Sequence, residues 1–214
     1  MSLIAGLQAK LSAGLVEMDL SLEADKQAKL IDYVLLIDKW NKVHNLTAIR
    51  DPLEMITLHI LDSLSVLKHV QQYAPKRLLD VGAGAGLPSI VLAICMPELQ
   101  VTAIDAVQKK ASFMRQAKGV LALTNFSVES GRVESLNQPL AYEVIISRAF
   151  SEIALFVKLT KHLLAENGTW LAMKGVVPNQ ELQTAGVTPL EIVPLSVAGL
   201  AAERHLVVFQ KAHI

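Results

Sequence analysis

The sequence predicts an α/β fold in which a mostly parallel, seven-stranded sheet follows an N-terminal helical extension. From Arg77 onward, short apolar runs alternate with helical stretches, which is typical of a parallel sheet covered on both faces. The last two strand candidates have no helix between them, so we expect an antiparallel hairpin at one edge of the sheet. A glycine-rich loop joins the first strand to the first helix of this region. The predicted strands are Leu78–Val81, Val101–Ile104, Phe126–Val128, Val144–Ser147, Trp170–Lys174, Glu191–Leu195 and His205–Gln210.

The helical extension is predicted for residues 1–74 and the core for residues 75–214, the two together making one compact unit. Apolar residues within 22–40 recur at the spacing of one helix face. A second helical pattern follows Asp51 and Pro52, a capping residue and a proline that suit the start of a helix. The segment between these two helices is polar and rich in hydrogen-bonding groups.

Composition excludes several classes of protein. Apolar residues make up 52% of the 214 residues and charged residues 19%, which excludes an intrinsically disordered chain. The single cysteine, Cys95, excludes a disulfide scaffold, and with no export signal it predicts a reducing, cytoplasmic location. No apolar run approaches the roughly 20 residues of a membrane span, so no membrane partner is expected. Because 20 basic and 20 acidic residues cancel, any nucleic-acid partner must be bound by a local basic patch.

The loop after the first predicted strand carries three alternate glycines, Gly82, Gly84 and Gly86. They allow the backbone to turn tightly and to approach a ligand without an intervening side chain. Dinucleotides favour the spacing G-x-G-x-x-G, whereas here the third glycine comes one residue earlier and Asp80 stands two residues ahead of the first. This spacing favours S-adenosylmethionine as the cofactor. The alternative is a tight turn that binds nothing.

Asp105 ends the second predicted strand, 19 residues after Gly86. A carboxylate at this position can accept two hydrogen bonds from ribose hydroxyls, a feature that NAD-dependent enzymes share. It therefore supports an adenosine-type ligand without choosing between the two cofactors. Asp105 could instead cap the helix that begins near Val107, and the two roles can coexist.

The segment after the fourth predicted strand, 147–150, narrows the choice of methyl acceptor. It lacks the Asn/Asp-Pro-Pro-aromatic turn that is usual in enzymes that methylate exocyclic amines. Methylation of a pyrimidine C5 needs a cysteine nucleophile, and Cys95 lies within a predicted helix as a small core residue. No close cluster of histidine and cysteine indicates a metal site. Guanine N7 carries a lone pair and no proton, so its methylation needs placement rather than a general base; the residues permit this acceptor without selecting it.

Basic residues lie at or near the ends of predicted strands, at the edge where ligands bind in an open α/β sheet. Arg148 and Lys174 are expected to act in catalysis by positioning the reactants, with no general base. The candidates for binding a nucleic-acid substrate are Arg132, Lys174, Arg204 and His205. The alternative for any one of them is a solvated or salt-bridged surface charge, the usual role of a single arginine or lysine.

Two further groups of polar residues are interpreted as structural. His59, Asp62 and Ser63 share one helix face, which gives poor in-line geometry for a catalytic triad. We therefore expect them to pack or hydrogen-bond at the junction of extension and core. A second basic stretch on one helix is expected to solvate a helix face; it comprises Lys109, Lys110, Arg115 and Lys118.

Motifs spread over essentially the whole chain match one known family. Ser-Arg-Ala-Phe at 147–150, Leu-Pro after the glycine loop and Glu-Arg-His-Leu-Val at 203–207 are specific in combination. Further matching stretches are 39–42, 45–47, 50–52, 59–63 and 174–175. With these motifs the sequence resembles the bacterial small-subunit rRNA guanine-N7 methyltransferases, also called glucose-inhibited division protein B.

This resemblance implies a class I S-adenosylmethionine-dependent methyltransferase with a Rossmann-like core. It implies transfer of a methyl group to N7 of guanine 527 of 16S rRNA, with the rRNA or the small ribosomal subunit as partner. The residues that match the family's cofactor-binding positions are Gly82, Leu87, Val133, Glu134 and Arg148. Ala83 and Ala85 stand where family members commonly carry threonine and proline, and Ser89 where many carry glycine. These departures bear on the affinity for the cofactor rather than on the activity.

Three other functions are compatible with the residues. They are methylation of a small molecule, a dinucleotide-dependent oxidation or reduction, and a non-catalytic role in ribosome assembly. The neutral net charge favours a small-molecule acceptor, whereas the converging basic residues and the helical extension favour rRNA. We expect a monomer.

Overall fold

The computed structural model describes residues 2–148, 150, 152–185 and 187–211. Its strands are β1 (Arg77–Val81), β2 (Gln100–Asp105), β3 (Phe126–Ser130), β4 (Tyr142–Arg148), β5 (Leu164–Lys174), β6 (Glu191–Pro194) and β7 (His205–Gln210). They form one sheet in the order β3-β2-β1-β4-β5-β7-β6. Strands β1 to β5 pair in parallel, whereas β7 lies antiparallel between β5 and β6. The predicted α/β sheet with an antiparallel edge hairpin is confirmed.

The central strands β1 and β4 are apolar and buried along most of their length, as expected where helices cover both faces of a parallel sheet. Strand β5 begins at Leu164, six residues before the predicted start at Trp170. Its first half is irregular, because the register with β4 shifts between Tyr142 and Val144. The regular second half of β5 carries the continuous apolar run that the sequence pattern detects.

Nine α-helices are present in the described residues. They are α1 (Leu3–Glu17), α2 (Ala24–His44), α3 (Pro52–Met55), α4 (Asp62–Leu64), α5 (Leu67–Gln72), α6 (Ser89–Cys95), α7 (Gln108–Val120), α8 (Ile153–Thr160) and α9 (Asn179–Ala185). The side chain of Asp51 caps α3 by accepting from the amide of Leu53, and Pro52 occupies the first turn. A π-helical segment, Ile56–Leu61, joins α3 to α4. None of the described helices is both long enough and apolar enough to cross a membrane.

The helices of the extension pack against α6 and α7, which cover one face of the sheet. Leu30 and Ile37 of α2 and Leu64 of α4 belong to the same buried apolar cluster as Leu78 of β1 and Ile90 of α6. A second cluster on the other face includes Phe156 of α8 and Trp170 of β5. Because burial of one large apolar side chain contributes about 1.5–3 kcal/mol, the shared cluster joins extension and core strongly. We propose that the two fold as one unit.

Candidate active site

The glycine loop after β1 adopts a backbone that only glycine accommodates without strain. Gly82, Gly84 and Gly86 have φ angles of 69°, 62° and 86°. A Cβ atom at Gly82 would have no atom within 4 Å, whereas one at Gly86 would come within 2.5 Å of Ile90 Cδ1. Gly82 therefore borders open space that a ligand can enter. Gly86 instead permits close packing of the loop against α6.

The extension holds this loop in place through a buried tyrosine. Tyr33 of α2 donates its hydroxyl proton to the carbonyl oxygen of Ala85 at 2.5 Å and lies 3.2 Å from that of Gly86. Burial raises the pKa of Tyr33 well above its usual value, so the hydroxyl keeps its proton. The sequence pattern does not reveal this contact, since Tyr33 fits the apolar face of α2 and its partner lies 52 residues away.

Asp80 stands at the entrance to the glycine loop with one unused carboxylate oxygen. Its Oδ2 accepts from the amide of Ser89 at 3.1 Å. Among the described residues, its buried Oδ1 has no hydrogen-bond partner. Burial raises the pKa of Asp80 to about 6. At neutral pH the residue is therefore a carboxylate with a free acceptor, which suits an ammonium group.

Asp105, at the end of β2, ties the glycine loop to the start of α7. Its Oδ2 accepts from the amide of Gly84 at 2.9 Å, and its Oδ1 accepts from the amide of Val107 at 2.8 Å. The second bond closes a turn ahead of α7, whose N-cap residue is Val107, so Asp105 is not the helix cap that the sequence left open. Each carboxylate oxygen retains a further lone pair, so these bonds do not preclude hydrogen bonds to ribose hydroxyls.

A cleft of ≈ 180 Å³ opens next to the loop, and we call it the glycine-loop cleft. It brings together several of the predicted cofactor residues with Arg132, and Phe150 also lines it. Leu87 does not line it, because this side chain is 3% exposed and packs in the apolar core. The residues around the cleft are Val81, Gly82, Ile104, Asp105, Ala106, Gly131, Arg132, Val133, Glu134, Phe150 and Leu159.

A second cavity of ≈ 360 Å³ lies at the ends of β4 and β5, and we call it the basic pocket. Arg148, Lys174 and Arg204 line it, so three of the predicted positioning and binding residues converge here. Arg132 lines the other cleft, 3.9 Å from Glu134, and His205 bonds to the carbonyl oxygen of Gly175. The residues of the basic pocket are Leu58, Asp62, Arg148, Met173, Lys174, Gly175 and Arg204.

Both arginines of the basic pocket are bound to one carboxylate. Arg148 Nη1 donates to Asp62 Oδ2 at 2.9 Å, and Arg204 Nε donates to Asp62 Oδ1 at 2.8 Å. Asp62 is 3% exposed and comes from the extension. This geometry agrees with the hydrogen-bonding interpretation of Asp62, because its carboxylate faces two arginines rather than a nucleophile.

Lys174 is paired as well. Its ammonium group lies 3.0 Å from both carboxylate oxygens of Glu181 and donates to the carbonyl oxygen of Phe150 at 3.0 Å. Glu181 of α9 also accepts from the amide of Ile153 at the start of α8. Lys174 can therefore bind a phosphate only if it shares or leaves Glu181. We did not single out Glu181, since nothing in its local spacing marks it.

His59 is neutral and anchored beside this pocket. Its Nε2 lies 2.9 Å from Thr47 Oγ1 and its Nδ1 lies 3.0 Å from the carbonyl oxygen of Leu58. Burial, reinforced by the charge of Arg148, lowers the pKa of His59 to about 4. Asn41 accepts from the amide of Thr47 at 3.0 Å, so the polar segment before α3 is fixed on this side.

The fold has the architecture of S-adenosylmethionine-dependent methyltransferases. A putative enzyme of this class from Methanococcus maripaludis matches with a TM-score of 0.57 and 15% identity, over 85% of this chain and 93% of that one. A second, from Aquifex aeolicus, matches with a TM-score of 0.53 and 19% identity, over 74% of this chain and 98% of that one. At such identities the likeness establishes the fold alone.

Sequence relatives define the family. The family model described as rRNA small subunit methyltransferase G matches residues 26–207, and the chain belongs to this family, known as GidB. The protein named ribosomal RNA small subunit methyltransferase G of Methylobacillus flagellatus is 60% identical over 201 residues, covering 94% of this chain and 97% of the relative. Its namesake of Laribacter hongkongensis is 48% identical over 203 residues, with the same coverage. The predicted family is thereby confirmed.

Proposed function

We propose that this protein transfers the methyl group of S-adenosylmethionine to N7 of guanine 527 in 16S rRNA of the small ribosomal subunit, and that it acts as a monomer. The observation that carries the proposal is that residues at the end of β4 and just after it line both cavities. Phe150 lines the glycine-loop cleft, and Arg148, two residues earlier, lines the basic pocket. A methyl donor in the first cavity and a nucleotide in the second would meet there. Membership of the family supports rRNA as the substrate.

The residues of the glycine-loop cleft fit S-adenosylmethionine. The open space in front of Gly82 accommodates a ligand against the backbone. Asp80, which directly precedes the lining residues Val81 and Gly82, is buried, and its free Oδ1 would accept from the ammonium group of the methionine part. Asp105 would accept from the ribose hydroxyls, while Val133 and Glu134 would border the adenine. When bound, this cofactor supplies an electrophilic methyl group on a sulfonium. The side chains of the cleft need only bind this cofactor and exclude water.

The residues of the basic pocket would orient the guanine. The N7 lone pair forms the new carbon–nitrogen bond as the carbon–sulfur bond breaks, and no proton leaves N7. A donor on N7 would block this attack, so Arg148 or Arg204 must donate to O6 or to a phosphate instead. Both ring nitrogens of His59 are engaged by Thr47 and Leu58, so His59 does not offer a general base, in agreement with a reaction that needs none. Proximity and orientation then supply the rate enhancement, up to about 7–11 kcal/mol when the geometry is good.

Identification of the labelled nucleoside tests this function. The protein is incubated with methyl-labelled S-adenosylmethionine and with small-subunit rRNA that lacks the modification, both naked and as the assembled subunit. The proposal expects label in 7-methylguanosine, and the two forms of RNA reveal which one is recognised. Binding of the cofactor without label in either RNA would point to a small-molecule acceptor or to a role in assembly.

A salt titration of RNA binding separates an rRNA substrate from a small molecule independently of catalysis. Each phosphate that the protein neutralises lowers the logarithm of the affinity by about 0.7–0.9 per decade of salt concentration. We expect a clear salt dependence, since three basic residues line the basic pocket: Arg148, Lys174 and Arg204. An affinity that is independent of salt would contradict rRNA as the substrate.

A further inference from the structure

A buried carboxylate of the extension lies between the two arginines of the basic pocket. Asp62 accepts from Arg148 at 2.9 Å and from Arg204 at 2.8 Å, through different oxygens. The side chain of Asp62 is 4% exposed, whereas those of Arg148 and Arg204 are 23% and 27% exposed. The Asp62 carboxylate therefore holds the inner side of each of the two guanidinium groups, and the outer side of each group faces the basic pocket.

The outer edges keep donors for a substrate. Arg148 uses Nη1 twice, for Asp62 and for the carbonyl oxygen of Leu58 at 3.1 Å, and Arg204 uses Nε and Nη1. In the described part of the chain, Nε and Nη2 of Arg148 and Nη2 of Arg204 have no hydrogen-bond partner. Because a guanidinium group is planar and rigid, fixing one edge sets the direction of the other.

The balance of charge gives the carboxylate a second effect. One negative and two positive groups leave a net charge of +1, which attracts an RNA phosphate. Without Asp62 the two like charges would repel each other, and only neutral carbonyl contacts would hold them. Arg148 ends β4 and Arg204 directly precedes β7, whereas Asp62 comes from the extension. The extension therefore completes the pocket.

We propose that Asp62 is a positioning residue for methyl transfer, which holds the free edges of Arg148 and Arg204 toward the target nucleotide. This inference rests on the proposed function. It differs from a purely structural role, in which Asp62 would only join extension to core. If Asp62 only joins extension to core, its replacement should reduce the amount of folded protein. If Asp62 is a positioning residue, its replacement should leave folded, RNA-bound protein that transfers the methyl group slowly.

The variant Asp62→Asn tests this role. An amide keeps one acceptor and gains a donor, so it can hold one arginine but opposes the other. We expect the single-turnover rate at saturating RNA to fall roughly 10- to 100-fold, the loss that a misplacement of about 1 Å produces. The affinity for RNA should stay unchanged or increase, because a negative charge is lost. The number of S-adenosylmethionine molecules bound per chain should stay at the wild-type value.

Two further variants complete the experiment. Asp19→Asn removes the same charge from an exposed pair with Lys68, and its transfer rate should equal that of the wild type. Arg204→Lys keeps the positive charge but loses the planar guanidinium group. Because Arg204 is partly exposed, this variant provides the test if Asp62→Asn does not fold. Its rate should also fall at least about tenfold, with RNA affinity retained.

The possible outcomes separate the two claims. A wild-type protein that puts no label into rRNA would overturn the proposed function, and the role of Asp62 with it. Label at equal rates with the wild type and with folded Asp62→Asn or Arg204→Lys would overturn the role of Asp62 alone. A loss of rate that only tracks a loss of chains able to bind S-adenosylmethionine would equally overturn it, in favour of the purely structural role.

Discussion

The hydroxyl group of Tyr33 donates to the carbonyl oxygen of Ala85 at 2.5 Å, and this bond connects the extension to the glycine loop. Tyr33 is fully buried, and it stacks on Phe113 of α7 with 6.4 Å between the ring centroids. One side chain of α2 thus contacts both the glycine loop and α7. The extension is accordingly part of the support of the candidate active site.

Replacing Tyr33 with Phe should destabilise the protein and weaken cofactor binding. The variant leaves the carbonyl oxygen of Ala85 without its donor, at a cost of about 1–3 kcal/mol in the free energy of unfolding. Denaturant unfolding measures this cost, and calorimetry measures the affinity for S-adenosylmethionine. Tyr73→Phe is the control, since Tyr73 is only partly buried. An unfolding free energy and an affinity both equal to those of the wild type would rule out this support.

Replacing Gly82 with Val should abolish cofactor binding. The valine would adopt an unfavourable φ of 69°, and its side chain would fill the open space in front of the loop. Calorimetry with S-adenosylmethionine is the measurement. Gly119→Ala on α7 is the control, because a Cβ there meets no atom within 4 Å and the residue is helical. Retained affinity in Gly82→Val would mean that the ligand does not approach this backbone.

Affinity for the cofactor should fall as the pH falls through the pKa of Asp80. Burial raises this pKa to about 6, so the carboxylate is mostly charged at pH 7 and mostly protonated at pH 5. If only the carboxylate binds the ammonium group, the apparent affinity should be about tenfold weaker at pH 5 than at pH 7. Calorimetry at both values tests this, and Asp80→Asn should remove the dependence. An affinity that is flat between pH 5 and pH 7 in the wild type would argue against this contact.

Replacing Glu181 with Gln should strengthen RNA binding. Both carboxylate oxygens of Glu181 accept from the ammonium group of Lys174 at 3.0 Å. The neutral amide of glutamine would bind this ammonium group less strongly and leave it available to a phosphate. One further phosphate contact should steepen the salt dependence of RNA binding by about 0.7–0.9. Glu23→Gln, which breaks the pair with Lys26 on the surface, is the control with the same change of charge. An unchanged slope in Glu181→Gln would place Lys174 outside the RNA contact.

The strands, the edge hairpin and the glycine loop could be predicted because each depends on residues close together in the sequence. Alternating apolar runs located all seven strands, and only β5 began well before its predicted start. The contacts that organise the candidate site join distant residues instead: Arg148 lies 86 residues from Asp62, and Arg204 lies 142 residues from it. No local spacing reveals such pairs. The sequence therefore predicted three basic residues that converge, Arg148, Lys174 and Arg204, but not the carboxylates that bind them.

The most direct test of the central claim is to map the methyl group within the RNA. Small subunits that lack the modification are incubated with the protein and S-adenosylmethionine, and the 16S rRNA is then cleaved chemically at 7-methylguanosine. The account predicts one new cleavage, at guanine 527, with the wild-type protein, and strongly reduced cleavage with Arg148→Ala at equal cofactor occupancy. Methylation at another atom or another nucleotide, or equal cleavage with Arg148→Ala, would contradict it.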